Sequence, residues 1–204
     1  MSEILLSMKD LVIEAEVDGV WTSIVKSLSM NLRKGEIIGL IGESGAGKST
    51  FGLAAMGYTK PGCRIVSGSI SLEGEELVGA RTSRLRQIRG DTVAYVAQSA
   101  AASFNPAHRL IHQFSEAPVQ HGKMRQEEAE RRGVDLYGQL DLPEPDKIGQ
   151  RFPHQVSGGQ LQRAMTAMAM GCDPRLIIFD EPTTALDVTT QIEVLSTIKE
   201  AVRA

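Results

Sequence analysis

No uninterrupted apolar run in the 204-residue chain approaches the roughly 18 residues that a membrane-spanning helix needs, and no basic segment leads into an apolar one at the N-terminus. A cytosolic chain is therefore expected, one that can still dock onto a membrane protein. No excess of positive charge is present either: the formal net charge is −3, which removes any overall electrostatic reason to bind nucleic acid. Cysteine is scarce. Cys63 and Cys172 lie far apart, with no C-x-x-C spacing, so neither a redox pair nor a metal cluster is indicated and two inert thiols are expected. Neither a fixed-period repeat nor a low-complexity linker is present. What remains is an ordinary soluble composition, 42% hydrophobic and 23% charged, long enough to bury a full core as one domain with room for a subdomain.

One stretch organises this chain. The apolar run Ile37-Ile38-Gly39-Leu40-Ile41 precedes Gly42-Glu43-Ser44-Gly45-Ala46-Gly47-Lys48-Ser49-Thr50, which in turn precedes Phe51-Gly52-Leu53-Ala54-Ala55-Met56. Buried strand, phosphate loop and helix are expected in that order. The spacing G-x-x-x-x-G-K-S puts small residues where backbone N–H groups wrap around phosphate oxygens at a helix N-terminus. Lys48 is placed to reach the β- and γ-phosphates and Ser49 to ligate magnesium. A glycine turn that only packs a helix on a strand is the alternative; nucleotide binding is the working premise.

Along the chain, 4–16 and 21–32 read as two β segments, and Asp18-Gly19 between them signals a hairpin. Trp21, the only tryptophan, beside that turn, either stacks on an adenine ring or packs at a sheet edge. Arg33-Lys34-Gly35-Glu36 turns the chain toward the phosphate loop. Beyond a Gly- and Pro-rich segment, Gly68-Ser69-Ile70-Ser71-Leu72 alternates as a short strand, and the arginines between 81 and 89 read as a solvated helical face. The run Thr92-Val93-Ala94-Tyr95-Val96-Ala97 reads as a core strand ending at Gln98.

Residues 99–155 carry no strand signal and read as a helical insert. There Glu127 and Glu128 precede Arg131 and Arg132 by four residues, the ion-pair pattern of an exposed helix. Val156-Ser157-Gly158-Gly159-Gln160 opens a helix through Met170 whose Ala164, Met165, Ala167 and Met168 suit core packing. Leu176-Ile177-Ile178-Phe179 is a second apolar strand that delivers Asp180 and Glu181 at its C-terminal end, where ligands bind in parallel α/β sheets. Asp180 fits a magnesium ligand and Glu181 fits the residue that polarises the attacking water. A final helix is expected over 189–202.

The order of these motifs resembles the nucleotide-binding domain of an ATP-binding cassette (ABC) transporter: phosphate loop at 42–49, Gln98 at a strand end, Val156-Ser157-Gly158-Gly159-Gln160, the strand ending in Asp180-Glu181, and Ala185-Leu186-Asp187. Phe104-Asn105-Pro106, Phe152-Pro153-His154-Gln155 and Asp180-Glu181-Pro182-Thr183-Thr184-Ala185-Leu186-Asp187-Val188-Thr189 resemble the ATPase subunits of bacterial dipeptide and oligopeptide importers. Two departures stand out. Val156 replaces the usual Leu, and 99–102 lacks the acidic and proline residues often found after the glutamine.

The resemblance implies an α/β P-loop NTPase (ABC ATPase) core with N-terminal antiparallel β segments and a helical subdomain insert. It divides as 1–98, the phosphate-loop part of the core; 99–160, the helical subdomain ending in the signature; and 161–204, the rest of the core. Two such subunits, identical or not, would sandwich two ATP molecules. Ser157, Gly158, Gly159 and Gln160 of one would meet the γ-phosphate held by 42–50 of the other. Gln98 would sense γ-phosphate and magnesium and link the core to the insert. Asp187 would communicate between sites. Integral membrane permease subunits, and indirectly a substrate-binding protein, would be partners at the inner face of the membrane. The family's further strand and switch histidine are not among these residues. His108, His112, His121 and His154 lie elsewhere, His154 being expected in a hydrogen-bonding structural role, so a C-terminally truncated form that binds ATP and turns it over poorly is expected. A soluble ABC ATPase of an assembly or lyase complex and a nucleotide-binding module with little turnover are the alternatives.

Overall fold

The structure is a computed structural model and describes residues 3–43 and 45–181. The chain divides into two compact units, Met1–Arg89 and Gly90–Ala204. No helix among the described residues is long and apolar enough to cross a membrane.

The first unit is built on a long hairpin, β1 (Ile4–Val17) and β2 (Val20–Arg33). As expected from Asp18-Gly19, the connection is a two-residue turn. Both residues are left-handed, with φ of 51° and 78°, the geometry whose twist matches the flanking strands. Adding β3 (Cys63–Leu72) and β4 (Glu75–Glu76) gives an antiparallel sheet in the order β2-β1-β3-β4. Its core side is carried by Leu6, Met8, Leu11, Ile13 and Ile70, each at most 1% exposed. β3 starts five residues earlier than the alternation in 68–72 suggests, because pairing with β1 extends through Ala15 and Cys63. Gly68, at φ 100°, passes so near β1 that a Cβ there would lie 2.6 Å from the Lys9 carbonyl oxygen. α1 (Lys48–Ala54) and α2 (Thr82–Ile88) complete the unit.

The apolar run at 37–41 is not a buried strand: it has no regular secondary structure, and Ile37 and Ile41 are 61% and 99% exposed. A continuous apolar strand is stable only with neighbours covering both faces, as in parallel sheets, and this run joins none of the four strands of the antiparallel sheet. Nor are the arginines of 81–89 uniformly solvated. Arg84 does sit outside, paired with Glu75 at 2.7 Å. Arg89 turns inward over Tyr58 and donates to the carbonyls of Met56 (3.0 Å) and Gly57, satisfying acceptors at the end of α1.

In the second unit, β5 (Val93–Val96) and β6 (Leu176–Phe179) pair in parallel, Val93 opposite Leu176 through Val96 opposite Phe179. Between them in sequence lies the expected helical insert: α3 (Ala100–Ser103), α4 (Leu110–Gln120), α5 (Gln126–Gln139), α6 (Pro145–Ile148) and a 3-10 turn (Pro153–Gln155), followed by α7 (Gly158–Met170). Their shared core includes Phe114 and Tyr137, whose rings meet edge-on at 5.9 Å. α4 and α5 approach closely because Gly133 has no side chain: a Cβ would come within 2.6 Å of Ile111 Cδ1. Leu161, Ala164, Met165 and Ala167 of α7 join this core, as their helical spacing requires.

The ion pairs expected along α5 are not the ones formed. Glu128 accepts from the Arg125 backbone N–H at 2.9 Å, closing the helix start, and Arg131 donates to the Glu127 carbonyl. Arg132 reaches Asp173 instead, 41 residues away. Capping an unsatisfied N–H outweighs a solvated ion pair worth a few tenths of a kcal/mol. The helix expected at 189–202 lies outside the described residues.

Candidate functional site

In the first unit the loop before α1 has the form its glycines require. Gly45 and Gly47 are left-handed at φ 82° and 81°. The turn is closed by Ala46 N–H donating to Glu43 O (3.2 Å), and the helix begins with Phe51 N–H donating to Gly47 O (2.8 Å). Lys48 Nζ donates to the carbonyls of Gly42 and Glu43, each at 2.8 Å, so the ammonium lies along the loop. Ser49 and Thr50 occupy the first turn of α1, both half-buried. The structure thus brings Gly42, Glu43, Gly45, Ala46, Gly47, Lys48, Ser49 and Thr50 together, while Ser44 lies outside the described residues.

The two left-handed glycines differ in surroundings. Nothing lies within 4 Å of a Cβ built on Gly45, whereas one on Gly47 would sit 2.7 Å from the Ile24 carbonyl oxygen and 3.2 Å from Val25 Cγ2. β2 therefore backs the loop at Gly47. Gly47→Ala is expected to destabilise the protein by about 1–3 kcal/mol beyond Gly45→Ala, because the added Cβ must displace packed atoms, whereas Gly45→Ala carries the backbone strain without the clash. Urea unfolding of the two variants checks this, and equal midpoints would refute it.

Trp21 lies on β2, 38% exposed. The Arg64 guanidinium covers one face of its indole at 3.9 Å from the ring centroid and is itself held by Glu14 through two bonds of 2.8 and 3.1 Å. The side chain is packed at the sheet by a cation–π contact.

In the second unit β6 presents the acidic pair at its C-terminal end. Asp180 N–H donates to Val96 O at 2.9 Å, continuing the ladder one step beyond the strand. The Tyr95 hydroxyl donates to Asp180 Oδ2 at 2.6 Å. Burial, and then this bond, raises the Tyr95 phenol above its ordinary range, so it stays protonated and remains a donor. Gln98, two residues past the end of β5, donates through Nε2 to Glu181 Oε2 at 3.0 Å. Glu181 takes the left-handed region at φ 45°, unusual for a side chain with a Cβ. Tyr95 is the residue that sequence reasoning missed as part of the site. Its signal was a phenol set between Ala94 and Val96 in a largely apolar strand, three residues before Gln98.

Ser157 caps α7. Its Oγ accepts from Gln160 N–H at 3.3 Å, and the Gln160 side chain accepts from Ser157 N–H at 3.0 Å. Ser157 and Gly158 are exposed at the helix start, with Gly159 beside them, so the turn offers N–H groups at the positive end of a 13-residue helix. Val156 packs on the helical core, which explains why an apolar residue suffices there. His154 stacks on Phe152 at 5.7 Å, so its contact before this turn is a ring stack in place of the hydrogen bond expected. Asp187 lies outside the described residues. Cys172 is buried, its thiol raised to about 11 chiefly by that burial, and Cys63 is half-buried; both are free thiols.

A glycine-rich loop leading into a helix, and a parallel strand ending in two carboxylates, define a P-loop ABC ATPase core. The family model described as ABC transporter matches residues 25–184, and the chain belongs to that family. Among curated relatives, it is 38% identical over 199 residues to the oligopeptide transport ATP-binding protein OppD of Lactococcus lactis subsp. lactis (strain IL1403), covering 98% of this chain and 59% of the relative. It is 40% identical over 181 residues to the probable D,D-dipeptide transport ATP-binding protein DdpD of Escherichia coli (strain K12), covering 88% and 55%. The chain thus spans under two thirds of the length of these relatives. Among solved structures, a dimeric ATP-binding cassette bound to ADP and Pi in a post-hydrolysis state superposes with a TM-score of 0.84 at 24% identity, covering 97% of this chain and 82% of that one, a likeness of fold. An ATP-binding subunit of an ABC transporter superposes with a TM-score of 0.74 at 26% identity, covering 98% and 75%.

Proposed function

We propose that the chain is the ATP-binding and ATP-hydrolysing part of a peptide importer, acting at the inner face of the cell membrane with integral permease subunits and, indirectly, a substrate-binding protein. The observation that carries this reading is the arrangement at the ends of β5 and β6, where Gln98 holds Glu181 and Tyr95 holds Asp180. Two adjacent carboxylates, each with its own donor, suit two separate tasks. Peptide as the cargo is supported by the printed names of relatives 36–40% identical to this chain.

In this reading the N–H groups of 42–47 and the Lys48 ammonium bind the phosphates of ATP. The cation ligands assigned in this reading are the Ser49 hydroxyl, the Gln98 amide carbonyl and an Asp180 carboxylate oxygen, all hard oxygens of the kind that suits magnesium. The Gln98 amide nitrogen is engaged by Glu181, so its carbonyl oxygen is the atom left to face a cation. Bound magnesium would neutralise charge on the phosphate oxygens. Glu181 accepts the proton of the attacking water, and Lys48 stabilises charge developing on the phosphoryl group. Ser157, Gly158, Gly159 and Gln160 of a second subunit, a copy or a homologue, close the site on the γ-phosphate, and Asp187 links the two sites. Trp21 is assigned to the base, which would stack on the indole face opposite Arg64. Functionally the chain divides at 1–98, 99–160 and 161–204.

The test is reconstitution with integral permease subunits of a peptide importer. ATP-dependent uptake of labelled peptide into vesicles, lost when this chain is omitted, is the expected result. Uptake unaffected by the omission would overturn the reading.

A further inference from the structure

We propose that Tyr95 is a positioning residue for the magnesium site, holding Asp180 by its Oδ2 so that one defined carboxylate geometry meets the cation. The proposal rests on the reading of Asp180 as a magnesium ligand given above.

The parallel register sets up the contact. Tyr95 pairs with Ile178 across the ladder, and Asp180 follows two residues later on the same face. Two residues of strand advance about 6.6 Å, close to the reach of a tyrosine side chain leaning along its strand. The hydroxyl arrives 2.6 Å from Oδ2, within the short range of a bond to an ionised acceptor. Because Asp180 N–H also donates to Val96 O, backbone and side chain of the same residue are both tied to β5. The carboxylate therefore has little rotational freedom.

Packing alone does not call for this hydroxyl. Val93, Ala94 and Val96 are buried and apolar, and a phenylalanine or methionine would fill the same half-buried position without a polar atom to satisfy. Three residues further along, Gln98 binds the neighbouring carboxylate of Glu181. The end of β5 thus gives the two adjacent carboxylates different donors and keeps the cation ligand distinct from the proton acceptor. Outer partners of this kind orient ligands whose own atoms touch the metal.

Tyr95→Phe tests the proposal in the 204-residue chain. With a fluorescent ATP analogue as the probe, nucleotide binding is titrated without metal and then against magnesium, and manganese binding is followed by electron paramagnetic resonance. The variant is expected to bind the analogue without metal within about twofold of the parent and to need about tenfold more magnesium or manganese for half-saturation. Tyr95→Met, which also lacks the donor, is expected to behave alike and serves if the phenylalanine variant folds poorly. A metal requirement within twofold of the parent in a folded variant would overturn the proposal while leaving the site reading intact. A parent chain that shows no metal-dependent binding would overturn the site reading and the proposal with it.

Discussion

Replacing Lys48 with alanine is expected to lower ATP affinity at least about a hundredfold, measured by calorimetric titration of the parent and the variant. Hydrogen bonds from a charged donor contribute about 1.5–3 kcal/mol each, and loss of two to phosphate oxygens corresponds to about two or more factors of ten in affinity. The structure adds a second source of loss. Lys48 Nζ bridges the carbonyls of Gly42 and Glu43, so the same ammonium that would meet phosphate also holds the loop in its curved form. Lys48→Arg separates the two contributions: it keeps the charge but presents a planar fork where a compact point charge fits. Lys48→Ala binding within fivefold of the parent would remove the loop from the site.

The second large effect is expected at Glu181. Glu181→Gln is nearly the same size and can still accept from Gln98 Nε2 through its amide oxygen, so the end of β6 keeps its geometry. What it loses is the basic oxygen. Steady-state hydrolysis is expected to fall about 10²–10⁴-fold, the usual contribution of a positioned general base, while ATP binding persists. With hydrolysis stopped and binding retained, the ATP-bound dimer is expected to accumulate, which size-exclusion chromatography with ATP would reveal. A variant that hydrolyses ATP at the parent rate would show that another group accepts the proton.

These two variants also separate the phosphate loop from the acidic pair. The phosphate loop lies in the first unit and the acidic pair in the second, so loss of binding and loss of turnover are expected to divide along the same line. The Gly47→Ala result bears on the phosphate loop alone, through the contact with Ile24, and the Tyr95→Phe result on the acidic pair.

Much of this was legible in local sequence because short-range chemistry dictates it. Asp18-Gly19 makes a hairpin turn since both positions must be left-handed. Ser157 and Gln160 start α7 because their side chains reach back to its unsatisfied N–H groups. G-x-x-x-x-G-K-S folds as a loop entering a helix because Gly45 and Gly47 adopt dihedrals that cost other residues energy. The five motifs in order also sufficed to point to the family. Other features depend on partners that no local pattern names. The apolar run at 37–41 has the composition of a core strand but no paired neighbour among the described residues, and composition cannot supply one. Arg89 and Arg132 each have the look of a solvated helix charge, yet one binds carbonyls over 30 residues back and the other Asp173.

Tyr95 and Asp180 are 85 residues apart, and their bond exists because β5 and β6 run parallel in one register. The sequence by itself determined the turns, the caps, the phosphate loop and the two carboxylates, all set by dihedral preference and hydrogen bonding within a few residues. Only the tertiary structure decided which side chain holds each carboxylate and which arginines face inward, because those contacts form when strands and helices distant in the chain are brought side by side.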